Sequence, residues 1–262
     1  MSKIDIVFVD IDCTLLNWST RPPFFDIDSI NALKEAQKKG VLVFFCTARP
    51  YHSVKEIKIL DIFTPDGMIL ANGGFVLHKD KILYETIMEK EVFERLCDLA
   101  IKLNVNVEGV RRYDCFFIAE EDEAVKQLFS TYPENIPVIE DYHNQDVIGL
   151  TLFAQKELDE KFMSIMPKDS YYFRYHDYGV DVSTVPHVKG EGIKVVLKEL
   201  GISKNRAMAI GDDLADISMF EEVKYGVAMG NGKDEVKNSA THITNSVSNH
   251  GVKKILKKIR KS

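Results

Sequence analysis

The sequence predicts an α/β protein, a parallel sheet covered by helices on both faces, interrupted by an inserted α+β domain. Three observations support this. Apolar runs such as "IDIVFV", "VLVFFC" and "GMIL" alternate with helical segments, as in strands buried on both faces of a parallel sheet. Near residue 80 the pattern changes to helices and strands mixed with hairpin-type connections. From Lys189 the strand–helix alternation resumes.

Taken in order, the first strand runs through residues 4–9 and is followed by "DIDSINALKEAQKKG". There Asp28 or Ser29 can cap a helix, Ile30, Leu33 and Ala36 give it an apolar stripe, and Gly40 ends it. "VLVFFCTAR" is a second strand, residues 53–60 a short helix, and "GMILANGG" a third strand. The insert opens with a hairpin turning at Lys79-Asp80-Lys81. A helix over 89–104, the strands "VNVEGV" and "DCFFIAEE", and a helix over 122–132 follow. "VIGLTLFA", a helix over 156–166, and the pair "YYFRYHD" and "GVDVSTV" complete it. Then come the helix "GEGIKVVLKELG", the strand "RAMAIGDD", the helix "LADISMFEEV", and the short strands "YGVAMGNG" and "THITN". In the basic C-terminal segment, Val252, Ile255, Leu256 and Ile259 follow i, i+3, i+4, i+7. That spacing indicates a helix packed on the sheet with a solvated lysine face.

With 262 residues, 45% apolar and 28% charged, the chain has the composition of a globular protein with a sizeable core. A net charge of −6 argues against nucleic acid or an anionic membrane as the main partner. Cys13, Cys46, Cys97 and Cys115 show no CxxC spacing and read as reduced thiols, neither a disulfide frame nor a zinc motif. No signal-peptide pattern or membrane-length apolar run is present, so the expected location is cytoplasmic.

Asp10 and Asp12 end the first strand with one residue between them, which in an extended chain puts both carboxylates on one side. At ~4 Å and an effective dielectric near 20, they repel by about 4 kcal/mol. The loop "GDDLAD" adds Asp212, Asp213 and Asp216, spaced to share a helix face if a helix starts there. Four or five acids gathered at strand ends call for a hard divalent cation, and an oxygen-only shell suits Mg²⁺. Such an ion would hold Asp10 and Asp12 together. Thr47 and Lys189, also at a strand end and a helix start, supply the hydroxyl and the fixed positive charge an anionic ligand needs. Acids, magnesium, a lysine and a small hydroxyl describe a phosphoryl-transfer site.

In "DIDCT", "CTAR", "HVKGEGI" and "GDDLAD", in that order, the sequence resembles the haloacid dehalogenase superfamily of phosphotransferases. The large insert, with "ANGG" and "AMGNG", resembles the Cof-type subgroup with a C2B cap. The resemblance implies a Rossmann-like core formed by residues 1–80 and 186–262, with a cap at 81–185. It implies a Mg²⁺-dependent phosphatase for small phosphorylated metabolites, sugar phosphates or cofactors such as pyridoxal phosphate or a flavin precursor, working through an aspartyl-phosphate. Asp10 would be the nucleophile and Asp12 the acid and base. Asp10, the Asp12 main-chain carbonyl and Asp212 would bind the metal, with Asp216 holding a metal-bound water or the loop. Thr47 and Lys189 would hold phosphoryl oxygens, with Asn72 and Asn231 as further substrate contacts. A monomer or homodimer is expected, with a small phosphorylated metabolite as partner and neither nucleic acid nor membrane.

Cys13 replaces the family's usual Gly, which predicts an oxidisable thiol beside the site and partial thiol sensitivity. Ala215 replaces the usual Asn, so polar support there would fall to Asp213 or water. His187 reads as a loop histidine of no special role. Arg111, Arg112, Tyr113, Arg174, Tyr175, His176 and Tyr178 read mostly as solvated or packing residues of the insert. A phosphomutase, or a phospho-aspartate signalling module, are the alternative readings.

Overall fold

Residues Ile6–Val9, with no polar side chain among them, form β1 and are fully buried. In the computed structural model, which describes residues 3–168 and 170–258, β1 is central to an eight-stranded sheet. After β1, a small antiparallel pair, β2 (Leu16–Asn17) and β3 (Phe24–Phe25), precedes α1 (Ile27–Lys38) and β4 (Leu42–Cys46). Asp26 caps α1 by accepting from the Ser29 amide, in place of the expected Asp28 or Ser29. Gly40, at φ +81°, takes the left-handed turn past its end. The expected single helix after β4 is two, α2 (Tyr51–Glu56) and α3 (Ile59–Ile62), because Lys58 between them is left-handed (φ 58°). Next come β5 (Gly67–Leu70) and the hairpin β6 (Phe75–His78) and β7 (Lys81–Glu85).

The insert runs α4 (Lys90–Lys102), β8 (Asn106–Val110), β9 (Cys115–Phe117), α5 (Glu123–Thr131) and β10 (Gly149–Phe153). It ends with α6 (Asp159–Met163), β11 (Tyr171–His176) and β12 (Gly179–Ser183). The chain then resumes the first pattern with α7 (Lys189–Leu200), β13 (Ala207–Gly211), α8 (Ile217–Glu221) and β14 (Tyr225–Ala228). It closes with α9 (Asp234–Ser239), β15 (His242–Ile243) and α10 (Gly251–Leu256). Val252, Ile255 and Leu256 are the buried face of α10; the expected fourth member, Ile259, lies outside the described residues.

Two compact units result. One holds the described residues of Met1–Arg49, Lys58–Tyr84 and Val188–Ser262, the other Pro50–Ile57 and Glu85–His187. The second thus takes in α2, which lies within the 1–80 segment of the sequence expectation. In the first unit the strand order is β15-β14-β13-β1-β4-β5-β6-β7, with every pair from β15 to β5 parallel. The chain leaves β1 first toward β4 and β5 and later returns to β13 on its other side. That reversal opens a crevice at the carboxyl ends of β1, β4 and β13. Phe8, Phe44, Ile69, Ile193, Val196 and Met219 fill the core beneath it.

The second unit is a five-stranded sheet in the order β11-β12-β10-β8-β9, antiparallel throughout. Val107, Phe116, Leu150, Leu152 and Val180 on one face pack with Phe93 and Leu96 of α4 and Phe162 of α6. The other face carries a cross-strand row of Glu108, Thr151 and Asp181. Among the described residues no helix is long and apolar enough to cross a membrane.

Candidate active site

The crevice collects side chains from four segments of the first unit. Asp10, the residue after β1, is buried, and its amide donates to Ile210 of β13 at 2.9 Å. Lys189, the first residue of α7, is equally buried, and its Nζ donates to Asp10 Oδ1 at 2.8 Å and to Asp216 Oδ1 at 2.7 Å. Asp216 Oδ2 accepts from the amides of Asp212 at 2.8 Å and Asp213 at 3.0 Å. One buried carboxylate therefore shapes the whole loop after β13. Gly211 makes this possible, since a Cβ there would lie 2.3 Å from Asp216 Oδ2. Asp212 Oδ1 accepts from Thr14 Oγ1 at 3.0 Å, tying the loop back to the segment after β1. Thr14 has a sequence signal, the final position of "DIDCT".

Donor oxygens of Asp10, Asp212 and Asp216 lie within 4.8 Å of one another. Burial, then the carboxylates of Asp216, Asp212 and Asp12, push the Asp10 carboxyl well above the usual range, while Lys189 pulls it back. Asp212 is pushed up to about 7 by burial and by Asp216. Burial opposes the charge on Lys189, yet Asp10 and Asp216 hold its pKa well above the ordinary lysine value. A cluster whose acids resist ionisation for want of positive charge is one that fits a divalent cation.

Asp12 departs from the expectation. Its carboxylate lies outside that cluster and meets a cation of its own. Arg49 Nε and Nη2 donate to its two oxygens at 2.8 Å each, and Trp18 Nε1 donates to Oδ1 at 2.8 Å. Burial alone would raise Asp12, but the Arg49 charge and these hydrogen bonds hold it below the usual carboxylate value. No shared ion is needed to keep the two carboxylates near each other, because each has a separate partner. Arg49, the last residue of "CTAR", carries no signal of this role in its type or spacing.

Thr47 follows β4, fully buried, with its amide on Ile69 O at 2.9 Å and its Oγ1 accepting from the Arg49 amide at 3.1 Å. Asn72, left-handed at φ 52°, follows β5 with its amide on Thr47 O at 3.1 Å. Asn231 braces main chain instead of facing the acids: Nδ2 donates to Cys13 O at 2.9 Å and Oδ1 accepts from the Val247 amide at 2.9 Å. Asp213 accepts from Lys233 Nζ at 3.0 Å. Cys13 is left-handed (φ 56°), which is why glycine suits this position. Its thiol is pushed up to about 12 by burial and by Asp212, Asp12 and Asp10, a direction that opposes the expected thiol sensitivity. In the second unit, Arg111 pairs with Glu140 and Asp114, Arg112 with Glu85, and Arg174 with Asp159.

A Rossmann-like core with acids, a lysine and a buried threonine beyond its strand ends, its chain interrupted by an α+β insert, defines a hydrolase of the phosphotransferase type. The sequence matches the haloacid dehalogenase-like hydrolases over residues 7–256, and the chain belongs to that family. YkrA of Bacillus subtilis strain 168 is 29% identical over 268 residues, spanning 97% of each chain. A second protein of that strain, named 5-amino-6-(5-phospho-D-ribitylamino)uracil phosphatase YcsE, is 27% identical over 97% of this chain and 95% of its own. A solved sugar phosphatase of HAD subclass IIB superposes with a TM-score of 0.81 at 26% identity, covering 97% and 98% of the two chains. The chain is thus an enzyme, a Cof-type phosphatase of the haloacid dehalogenase superfamily.

Proposed function

We propose a Mg²⁺-dependent phosphatase that hydrolyses small phosphorylated metabolites through an aspartyl-phosphate on Asp10. The observation that supports it most is the convergence of Asp10, Asp212 and Asp216, drawn from distant segments, within 4.8 Å and around one lysine. Asp10 and Asp212, with the Asp12 main-chain carbonyl, would hold the ion, and Asp216, engaged through both oxygens, would anchor the loop. When bound, Mg²⁺ offsets the clustered carboxylates and draws charge from the phosphoryl oxygens.

In the first half-reaction an Asp10 oxygen attacks phosphorus, the bond to the ester oxygen breaks, and Asp12 protonates the departing alkoxide. In the second, water attacks the same phosphorus, Asp12 takes its proton, and Asp10 leaves as a free carboxylate. The Arg49 clamp holds Asp12 ionised, the form needed for the second half. For the first, Arg49 has to release one oxygen so that Asp12 carries a proton. Lys189 and the Thr47 hydroxyl steady the phosphoryl oxygens. Sugar phosphates and phosphorylated cofactors are the leading substrates, in keeping with the similarity to the sugar phosphatase and the ribitylaminouracil phosphatase.

The test is a panel of phosphate esters assayed for phosphate release with Mg²⁺. Wild type is expected to turn over one or more, and Asp10→Asn or EDTA to abolish it. Turnover that survives either treatment overturns the mechanism.

A further inference from the structure

We propose that the second unit carries its own divalent-metal site, of the zinc type, formed by His52 Nε2, Glu108 Oε1 and Cys115 Sγ. The three donors come from α2, β8 and β9. β8 and β9 pair so that Val110 faces Cys115 and Glu108 faces Phe117. Glu108 and Cys115 are therefore diagonal neighbours on one face of the sheet, opposite the face that Val107 and Phe116 bury in the core. The three donor atoms all lie within 4.8 Å of one another.

The contact between His52 and Glu108 carries the argument further. Their Nε2 and Oε1 atoms are 3.2 Å apart, with the side chains only 10% and 7% exposed. Yet these two atoms, and His52 Nδ1, are buried with no hydrogen-bond partner. Buried polar atoms without an aligned hydrogen bond call for another partner. Two ligands about 2.0–2.2 Å from a tetrahedral zinc sit roughly 3.3 Å from each other. The pair is spaced as co-ligands of one ion, without the alignment of a hydrogen bond. A fourth donor is at hand. Glu134 Oε2 lies 3.9 Å from His52 Nε2, and Ser53 Oγ donates to its other oxygen at 2.5 Å, fixing the carboxylate's orientation.

A thiol, an imidazole and carboxylates in four-coordinate reach select zinc over magnesium, which prefers six oxygens. Four protein ligands make a closed, structural site that would pin α2 to the sheet of its own unit. This site is independent of the oxygen-only cluster of the first unit.

The experiment uses the full chain, stripped with a chelator and titrated with Co²⁺ in excess Mg²⁺. One equivalent is expected to give a thiolate-to-cobalt charge-transfer band in the near ultraviolet, which an all-oxygen site cannot produce. Cys115→Ser should remove the band, Asp212→Asn should keep it, and His52→Gln should weaken binding by about tenfold or more. Zn²⁺ should displace the cobalt and raise the melting temperature of wild type but not of His52→Gln. Circular dichroism establishes that each variant is folded. No band at saturating Co²⁺, or a band that survives in folded Cys115→Ser or His52→Gln with unchanged affinity, overturns the proposal.

Discussion

In the first unit Asp10 and Asp216 sit beyond strand ends and meet a lysine; in the second Glu108 and Asp181 stand in mid-strand and meet a histidine and a threonine. The difference follows from where the main chain has amides to spare. Beyond β13 the amides of Asp212 and Asp213 are not committed to a ladder, and Asp216 accepts both. Glu108 and Asp181 lie inside paired strands, where main-chain groups are used by the sheet. Their support must come from side chains. Thr151 Oγ1 donates to Asp181 at 3.2 Å, and His52 lies beside Glu108. Burial lowers the His52 pKa, but Glu108 and Glu134 raise it above its ordinary value overall. Glu108 is held below its own by His52, against burial. Loops at strand ends can thus hold acids with backbone; a sheet face needs a second side chain, or an ion, for each.

The sharpest way to break this comparison is to remove the lysine. Lys189→Met leaves Asp10 and Asp216 buried without their cation. Deleting one partner of a buried ion pair costs about 3–5 kcal/mol, and losing a charge aimed at the transferring group costs about 10²–10³ in kcat. Urea unfolding at pH 8 should show the full loss, and at pH 5 a smaller one, because the Asp10 carboxyl, which burial already pushes well above the usual range, can then take up a proton. Equal losses at both pH values would mean that the acids draw their stability from elsewhere.

A gentler test compares the two acids that burial pushes to about 7, Asp212 in the first unit and Asp181 in the second. For Asp181 the native state holds a proton between about pH 4 and 7 that the unfolded chain has lost. Its contribution therefore falls as pH rises through that window, by a few kcal/mol at the order-of-magnitude level. His187, pushed down to about 4 by burial beside Thr86, works the other way. The unfolded chain binds its proton below roughly pH 6.5, so that contribution is lost as pH falls toward 4. Only a difference between variants isolates either group. Asp181→Asn keeps an acceptor for Thr151 and removes the titration. It should gain stability over wild type at pH 8 and approach it at pH 4, read by urea unfolding at both. A constant gap would show that Asp181 does not titrate in this range.

Much of this was legible in the sequence, for physical reasons. The doubly covered strands announce themselves as apolar runs, and the acids of the first unit fall in short local motifs that report strand ends. Lys189 and Thr47 were readable by their place in that order. What escaped depends on approach between distant segments. The Arg49 clamp on Asp12 and the two main-chain bonds of Asn231 leave no local pattern, and Asp26 displaced Asp28 as the α1 cap because the helix begins earlier. No local spacing marks Cys115 as a neighbour of Glu108 and His52, and only the β8–β9 register and α2 bring the three together.

The two thiols beside acids offer the finest comparison and the smallest expected effect on stability. Cys115 stands against Glu108, and Cys13 against Asp212, Asp12 and Asp10, and in both, burial and carboxylates push the thiol up. With the Cys13 value at about 12, about one molecule in ten thousand is thiolate at pH 8. Alkylation at Cys13 should therefore be slower than in the urea-unfolded chain by about a thousandfold, as measured by mass spectrometry of iodoacetamide adducts. Cys13→Gly removes a left-handed strain of about 1 kcal/mol but adds unfolded-chain entropy of about 0.5–1 kcal/mol. The two nearly cancel, so stability should move by less than about 0.5 kcal/mol. A large destabilisation would mean that Cys13 contributes packing that its backbone angle does not disclose, and rapid alkylation of the native protein would mean that its neighbouring carboxylates are already screened by a bound cation.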